Sequence, residues 1–417
     1  MQEAQQVVVI GGGVVGLASA WWLLEAGYRV TLLERAPTVA SAASYRNGGQ
    51  LSYRYVSPLA DAGVPKKAMQ WLFQPDGPLR FRPEADIRQW RWMTQFLANC
   101  NAAANARTTA KLLQLGELSR QSLAQLELTL PLSEFNWRNA GKLVVYRSEE
   151  AFKAALDKPD TDENRAILYG ADTARIEPAL AELAPKLAGG IFNAGEAVAD
   201  CYAFCLALEK RIYAHPRFER CMHTAARTIF VEHGKVSAIE TDAGWISADH
   251  YVLAAGIQSR DLAATADLDL PMYPLKGYSL TAPIHPEHVA PNISITDFER
   301  KTLYARIGNE LRIAAMVDMV GEDTRIDRRR IASLTRLARE SMPNAADYNR
   351  AEAWAGLRPA TPNSAPIIGA TPYPNLWLNV GHGPLGFTFA CGSASLLATL
   401  MRGQESPFAL DCLAYRH

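Results

Sequence analysis

Apolar residues along this chain fall into two recurring patterns: short unbroken aliphatic runs and longer stretches with helical spacing. The run Val7, Val8, Val9, Ile10 has no polar position, which predicts a strand buried on both faces of a parallel sheet. A helix through Ala18, Ala20, Leu23 and Leu24 should follow and stop near Gly27, and a second strand should span residues 30–33. Leu112, Leu115, Leu118, Leu123 and Leu126 predict an amphipathic helix over 104–128. Trp90, Met93 and Leu97, spaced i, i+3, i+7, predict a buried helix stripe inside the aromatic- and arginine-rich segment 65–100, which also holds Trp71, Phe73 and Trp92. Further on come a strand at 141–146, a helix-like stretch at 173–187 turned at Pro178, and a helix at 199–213 with Asp200 as its N-cap. Short runs at 227–232, 235–241 and 245–247, split by His233-Gly234 and Ala243-Gly244, predict an antiparallel meander. It leads into a buried strand at 251–256 that can lie parallel beside the first. Strands of a larger sheet are expected at 270–281 and 302–319, then a helix at 325–342 with a solvated basic face.

Stretches 7–24 and 376–401 are uncharged and long enough to span a bilayer. Glycine clusters break both in the middle, and Pro384 breaks the second again, so each reads as strand, tight turn and helix. An integral membrane protein is not expected.

The first of these turns carries chemistry. Gly11, Gly13 and Gly16 stand in G-x-G-x-x-G register directly after a strand. The first glycine permits the turn, the second admits a pyrophosphate to the backbone, and the third lets the helix pack on the strand. Glu34 closes the second strand, 23 residues past Gly11 (34 − 11), where a carboxylate can accept both hydroxyl protons of an adenosine ribose. It disfavours a 2′-phosphate, hence NADP. The fingerprint does not separate NAD from FAD.

Composition narrows the field further. A chain of 417 residues suggests two or three domains, and 48% hydrophobic with 21% charged residues excludes a disordered protein. Lys plus Arg (43) cancel Asp plus Glu (43), which argues against a nucleic-acid partner. Six cysteines form no C-x-x-C pair and no Cys/His cluster, so no metal site is expected and the thiols suit a reducing compartment. Residues 1–6 carry no Lys or Arg, unlike a secretory signal. The expected location is the cytoplasm. Segment 65–100 offers the one surface for a peripheral contact with the inner face of the cytoplasmic membrane, although core packing is its plainer reading.

Later blocks identify a family. After Gly11–Gly16 and Glu34 come GQLS at 49–52, GVP at 63–65, Lys142-Leu143, EPAL at 177–180 and GGI at 189–191. YPLKGYSL at 273–280, GLRP at 356–359 and NVGHGPLG at 379–386 follow. Together they resemble the D-amino-acid oxidase superfamily of flavoproteins, and within it the bacterial FAD-dependent D-amino acid dehydrogenases. The resemblance runs through nearly the whole chain. It implies noncovalent FAD, an amino or imino acid substrate and an electron acceptor other than NAD, either a quinone or an electron-transfer protein.

The implied fold is α/β. A Rossmann-like, doubly wound, mostly parallel FAD-binding domain would be assembled from 1–60, 196–268 and 351–417. An α+β substrate domain with a large mixed sheet would come from 61–195 and 269–350. A strand carrying Ala314, Ala315 and Met316 departs from relatives, which usually have a glycine pair there.

Oxidation at Cα requires a carboxylate anchor, an oriented Cα–H and stabilisation of negative charge on the reduced ring. Arg358 of the GLRP block is the expected bidentate carboxylate fork. The resemblance places Tyr278 and Tyr55 beside the reacting centre, and Gln50, Ser52 and His382 at the substrate; a strand tyrosine such as Tyr278 is equally at home in a core. Expected cofactor contacts in the first half are Gly11, Gly13, Val14, Val15, Gly16, Glu34 and Arg35, then Ser41, Ser44, Gly48, Gly49 and Gln50. In the second half they are Ala255 and Gly256, then Gly381, His382, Gly383, Leu385, Gly386, Phe387 and Thr388, where a helix N-terminus can face a flavin carbonyl. His382 could touch the flavin or cap a turn. No nucleophile and no general base stands out. An oxygen-using oxidase of the same family, an NAD-dependent dehydrogenase and a non-catalytic flavin-binding subunit are the alternatives.

Overall fold

A computed structural model describes residues 4–72, 74, 77–157 and 165–416; Phe73 lies outside them. The strand Gln6–Ile10 is buried and pairs in parallel with Arg29–Leu33 on one side and His250–Leu253 on the other. Phe218–Cys221, Leu376–Val380 and the antiparallel edge strand Ile367–Ala370 complete a six-stranded sheet. Helices cover it, as unbroken apolar strands demand. The apolar helix Gly386–Met401 lies in the core against Val14–Glu25. With the turn before it, the span Gly383–Met401 is long and apolar enough to cross a bilayer but is 67% buried in the fold. The meander forms as a three-stranded antiparallel sheet, and Asp200 caps the helix Cys201–Tyr213 by accepting from the N–H groups of Tyr202 and Ala203.

The second unit is a nine-stranded mixed sheet. Its order runs Glu352–Ala360, Tyr273–Pro283, Glu310–Met319, Thr302–Ile307, Ser294–Asp297, Lys142–Tyr146, Gly189–Asn193, Arg165–Tyr169, with Leu79–Phe81 beside Glu310–Met319. The helix Arg328–Ser341 packs on one face. The other face looks toward the parallel sheet.

Several expectations need correction. A domain cut at 350/351 would separate Glu352–Ala360 from the sheet it belongs to, since all nine of its residues pair with 273–281. The helix Ala102–Glu127 falls in the span assigned to the substrate domain, yet it packs on Gly386–Met401, where a Cβ on Gly392 would stand 2.6 Å from the Ser119 nitrogen. In Ile87–Asn99 the buried face is offset from the expected stripe. Trp90 and Leu97 are exposed, while Trp92 stacks on Phe96 and donates its indole N–H to Ala360 O at 2.8 Å. The arginine-rich helix is not wholly solvated, because Arg330 is buried and pairs with Asp318 at 2.7 Å. Pro178 does end a helix, which gives way to two 3-10 turns instead of continuing to 187.

Candidate active site

The cavity between the two sheets has a volume of about 2,630 Å³, beyond the roughly 300–1,000 Å³ of a single drug-sized ligand site. One wall is the glycine turn. Gly11 adopts φ +112°, and a Cβ there would lie 2.6 Å from Ala254 O; a Cβ on Gly16 would lie 1.8 Å from Gly11 O. Backbone thus fills the space that side chains would need. Val14, Val15, Arg35, Ser41 and Ser44 line the same wall, and Ser44 Oγ accepts from the Val14 N–H at 3.0 Å. Glu34 reaches back to the turn and accepts from the N–H groups of Gly12 (2.6 Å) and Ala36 (2.8 Å). Ala255 and Gly256 (φ +60°) border it from the third parallel strand.

At the far end, Gly381 (φ +79°) and Gly383 (φ +53°) turn the chain into the helix Gly386–Met401, and Leu385, Gly386 and Phe387 line the cavity. Thr388 sits behind them. Its Oγ1 donates to Gln50 O (3.4 Å) and accepts from the Ser52 N–H (3.2 Å), fixing the Gln50–Ser52 segment to the helix start. Gly48 and Gly49 precede that segment, and a Cβ on either would meet Leu303 or Ile307 of the large sheet. His382 is buried. Its Nε2 lies 3.0 Å from Ser393 Oγ, and burial pushes the imidazole down to about 3, so it is neutral at working pH. Its Nε2 is thus tied to the helix, while the residue also lines the cavity.

The opposite wall is the large sheet. Leu275 pairs with Arg358 and Gly277 with Gly356, so these four share one face. The Arg358 guanidinium lies flat over Gly277, where a Cβ would come 2.2 Å from Nη2. Nη1 donates to Met316 O at 2.9 Å. Met316 has φ +70°, left-handed for a non-glycine residue, at an irregularity between the pairs Lys276–Asp318 and Tyr278–Ala315. The departure noted in this strand is thus the point that hands a carbonyl to Arg358. Burial lowers the guanidinium to about 10, opposed by Asp318, which leaves it a cation lining the cavity.

Tyr278 faces the other way. It is buried, and its hydroxyl donates to Asp318 at 2.9 Å, in a cluster where Asp318 also pairs with Arg80 and Arg330. Strand alternation puts it on the face away from Arg358, so it cannot close over a carboxylate held there. Tyr55 does line the cavity. The surrounding protein pushes its phenol up to about 12, although 40% of the residue is exposed to the cavity side.

Gln50 and Ser52 also line the cavity, and both accept from Lys142 Nζ at 2.9 Å. Lys142 is buried, which pushes its ammonium down to about 8, and stands 4.3 Å from the Tyr55 ring centroid. Glu196 backs this group by accepting from the N–H groups of Tyr53, Arg54 and Tyr55. Sequence reasoning gave no role to Lys142, Glu196, Asp318 or Gly277. A charged residue inside an otherwise apolar strand (GKLVVY, IAAMVDMV) was the available signal for the first and third.

A glycine cradle, a carboxylate closing the second parallel strand beside it, a helix N-terminus and a guanidinium facing them across one cavity define the class, a dinucleotide-dependent oxidoreductase. The chain belongs to the FAD dependent oxidoreductase family (DAO), whose model matches residues 6–400. It is 48% identical over 396 residues to D-amino acid dehydrogenase 2 of Pseudomonas aeruginosa, covering 95% of this chain and 94% of that one. It is 42% identical to the protein of the same name from Ralstonia nicotianae, covering 97% and 99%. Glycine oxidase from Bacillus cereus shares the fold, with TM-score 0.74, 21% identity and 99% of each chain covered. The protein is therefore an FAD-dependent oxidoreductase that must pass its electrons to an acceptor, and the glycine cradle fits that cofactor.

Proposed function

We propose that the protein oxidises the Cα–N bond of D-amino acids, or of cyclic D-imino acids such as D-proline and D-hydroxyproline, and delivers the electrons to a quinone or an electron-transfer protein. The observation that carries this reading is Arg358 lying flat over Gly277, opposite the cofactor cradle. A planar cation in that position pins a substrate carboxylate by a bidentate pair and leaves Cα between the two walls. FAD, when bound, supplies the acceptor for the Cα hydrogen and its bonding pair. The amine gives up an N–H proton and its lone pair closes the C=N bond. Water then adds to the imine and releases the keto acid and ammonia, or opens the ring of a cyclic product. Lys142 with Gln50 and Ser52 orders the wall beside the cradle, and Tyr55 narrows the cavity there. The D-configuration rests on the names of the relatives.

A membrane quinone requires access to a bilayer surface. The helix Val64–Leu72 buries none of its residues and carries Lys66, Lys67 and the exposed Met69 (58%), and in the same segment Ile87 (77%) and Leu97 (52%) are exposed as well. These exposed apolar and basic residues support a cytoplasmic protein that touches the inner face of the membrane peripherally. Turnover of D- and L-amino acids with a soluble quinone, against oxygen uptake alone, tests the proposal. D-selective quinone reduction with little oxygen uptake is expected. Oxygen uptake at the full rate identifies the oxidase instead.

A further inference from the structure

Lys142 is the first residue of the strand Lys142–Tyr146 and shares the cavity-side face with Val144 and Tyr146. Leu143 and Val145 point into the core on the other side. A lysine buried to 4% exposure in such a strand carries a desolvation cost. Among the described residues no carboxylate forms an ion pair with it. Glu196 acts on it only at longer range, and its oxygens are already occupied by three backbone N–H groups. The neutral partners Gln50 and Ser52 hold the ammonium in place without cancelling its charge.

Those partners also set its location. Gln50 and Ser52 are tied through Thr388 to the first turn of Gly386–Met401, a 16-residue helix whose N-terminus carries the positive end of its dipole. The fixed cation and the helix start therefore act on one stretch of cavity wall. A cation whose hydrogen-bond partners are neutral, and whose nearest carboxylate makes no ion pair with it, is suited to a further negative charge that arrives during turnover. Transfer of a hydride to a neutral ring brings two electrons with one proton, and so adds one negative charge.

We propose that Lys142 is an electrostatic positioning residue for the cofactor: its ammonium favours the reduced ring of bound FAD over the oxidised one. The inference rests on FAD being the cofactor, but not on which amino acid is oxidised.

The test is the two-electron midpoint potential of the FAD-loaded protein, read by absorbance against a reference dye under slow chemical reduction, without any amino acid. Lys142→Met should weaken the preference for the reduced form about tenfold, which is about 30 mV downward for a two-electron couple. Lys142→Arg should restore most of it. Glu196→Gln removes the nearest opposing charge while keeping an acceptor for the backbone, and should move the potential upward. The Glu196 variant decides the matter if the methionine protein takes up no FAD. A potential unchanged in Lys142→Met, or unchanged or lowered in Glu196→Gln, overturns the proposal. A normal potential response in a protein that no D-amino acid reduces would leave Lys142 assigned and sink the substrate reading instead.

Discussion

Gly277 and Arg358 form one device at the scale of single residues. A methyl group at 277 would press on the far end of a flexible side chain, not on backbone, so the fold can absorb it while the guanidinium cannot keep its place. Gly277→Ala should therefore leave thermal stability nearly unchanged and raise KM sharply. Arg358→Met should lower kcat/KM by roughly a hundredfold or more. Steady-state kinetics beside a melting curve checks both, and equal activity in the alanine variant would contradict the geometry. His382 gives a pH prediction. Its folded value lies near 3, below the unfolded value of about 6.5, so the unfolded chain binds the extra proton across that window. Stability is full above pH 6.5 and is lost as pH falls, with a slope of at most roughly 1.4 kcal/mol per pH unit from this group. His382→Gln should show a shallower acid decline in melts between pH 7 and 4.5. Arg358 was legible in the sequence because its block is distinctive. Gly277 sat in an equally distinctive block, but its role depends on cross-strand register, which no local pattern encodes. Tyr278 was misassigned for the same reason: one residue of register decides which face a strand side chain takes.

Among the elements, the strand–turn–helix at the N-terminus was the most legible, since strand, glycines, helix and terminal acid all fall within about 30 residues. Its tolerance is narrow. A Cβ on Gly16 would meet the Gly11 carbonyl, which is backbone held between strand and helix. Gly16→Ala should destabilise the protein by about 2 kcal/mol and abolish FAD retention, measurable by the visible absorbance remaining after gel filtration. Retained yellow colour at wild-type stoichiometry would show that the turn yields. The helix Ile87–Asn99 was misread because its aromatics offer two faces, and the indole bond from Trp92 to Ala360 selects the one that sequence spacing alone does not prefer. Lys142 and Asp318 were visible as charges in apolar strands, yet partners such as Gln50 and Arg80 lie far away along the chain.

For the whole molecule, the two-sheet architecture followed from the family blocks, whereas the cuts between units did not. Chain order hides that Glu352–Ala360 serves the large sheet, and that Ala102–Glu127 crosses to cover the cofactor-side helix. Both displacements matter to the site, because Arg358 reaches the cavity only as part of the substrate sheet while the residues after it return to the cradle. The chemistry therefore lives between the units. The measurement that tests this most directly is the visible absorbance of the purified protein during anaerobic addition of D- and then L-amino acids. The account predicts a yellow protein that D-amino acids bleach and L-amino acids leave unchanged. A protein that cannot take up FAD, or a flavin spectrum that neither enantiomer alters, would contradict it.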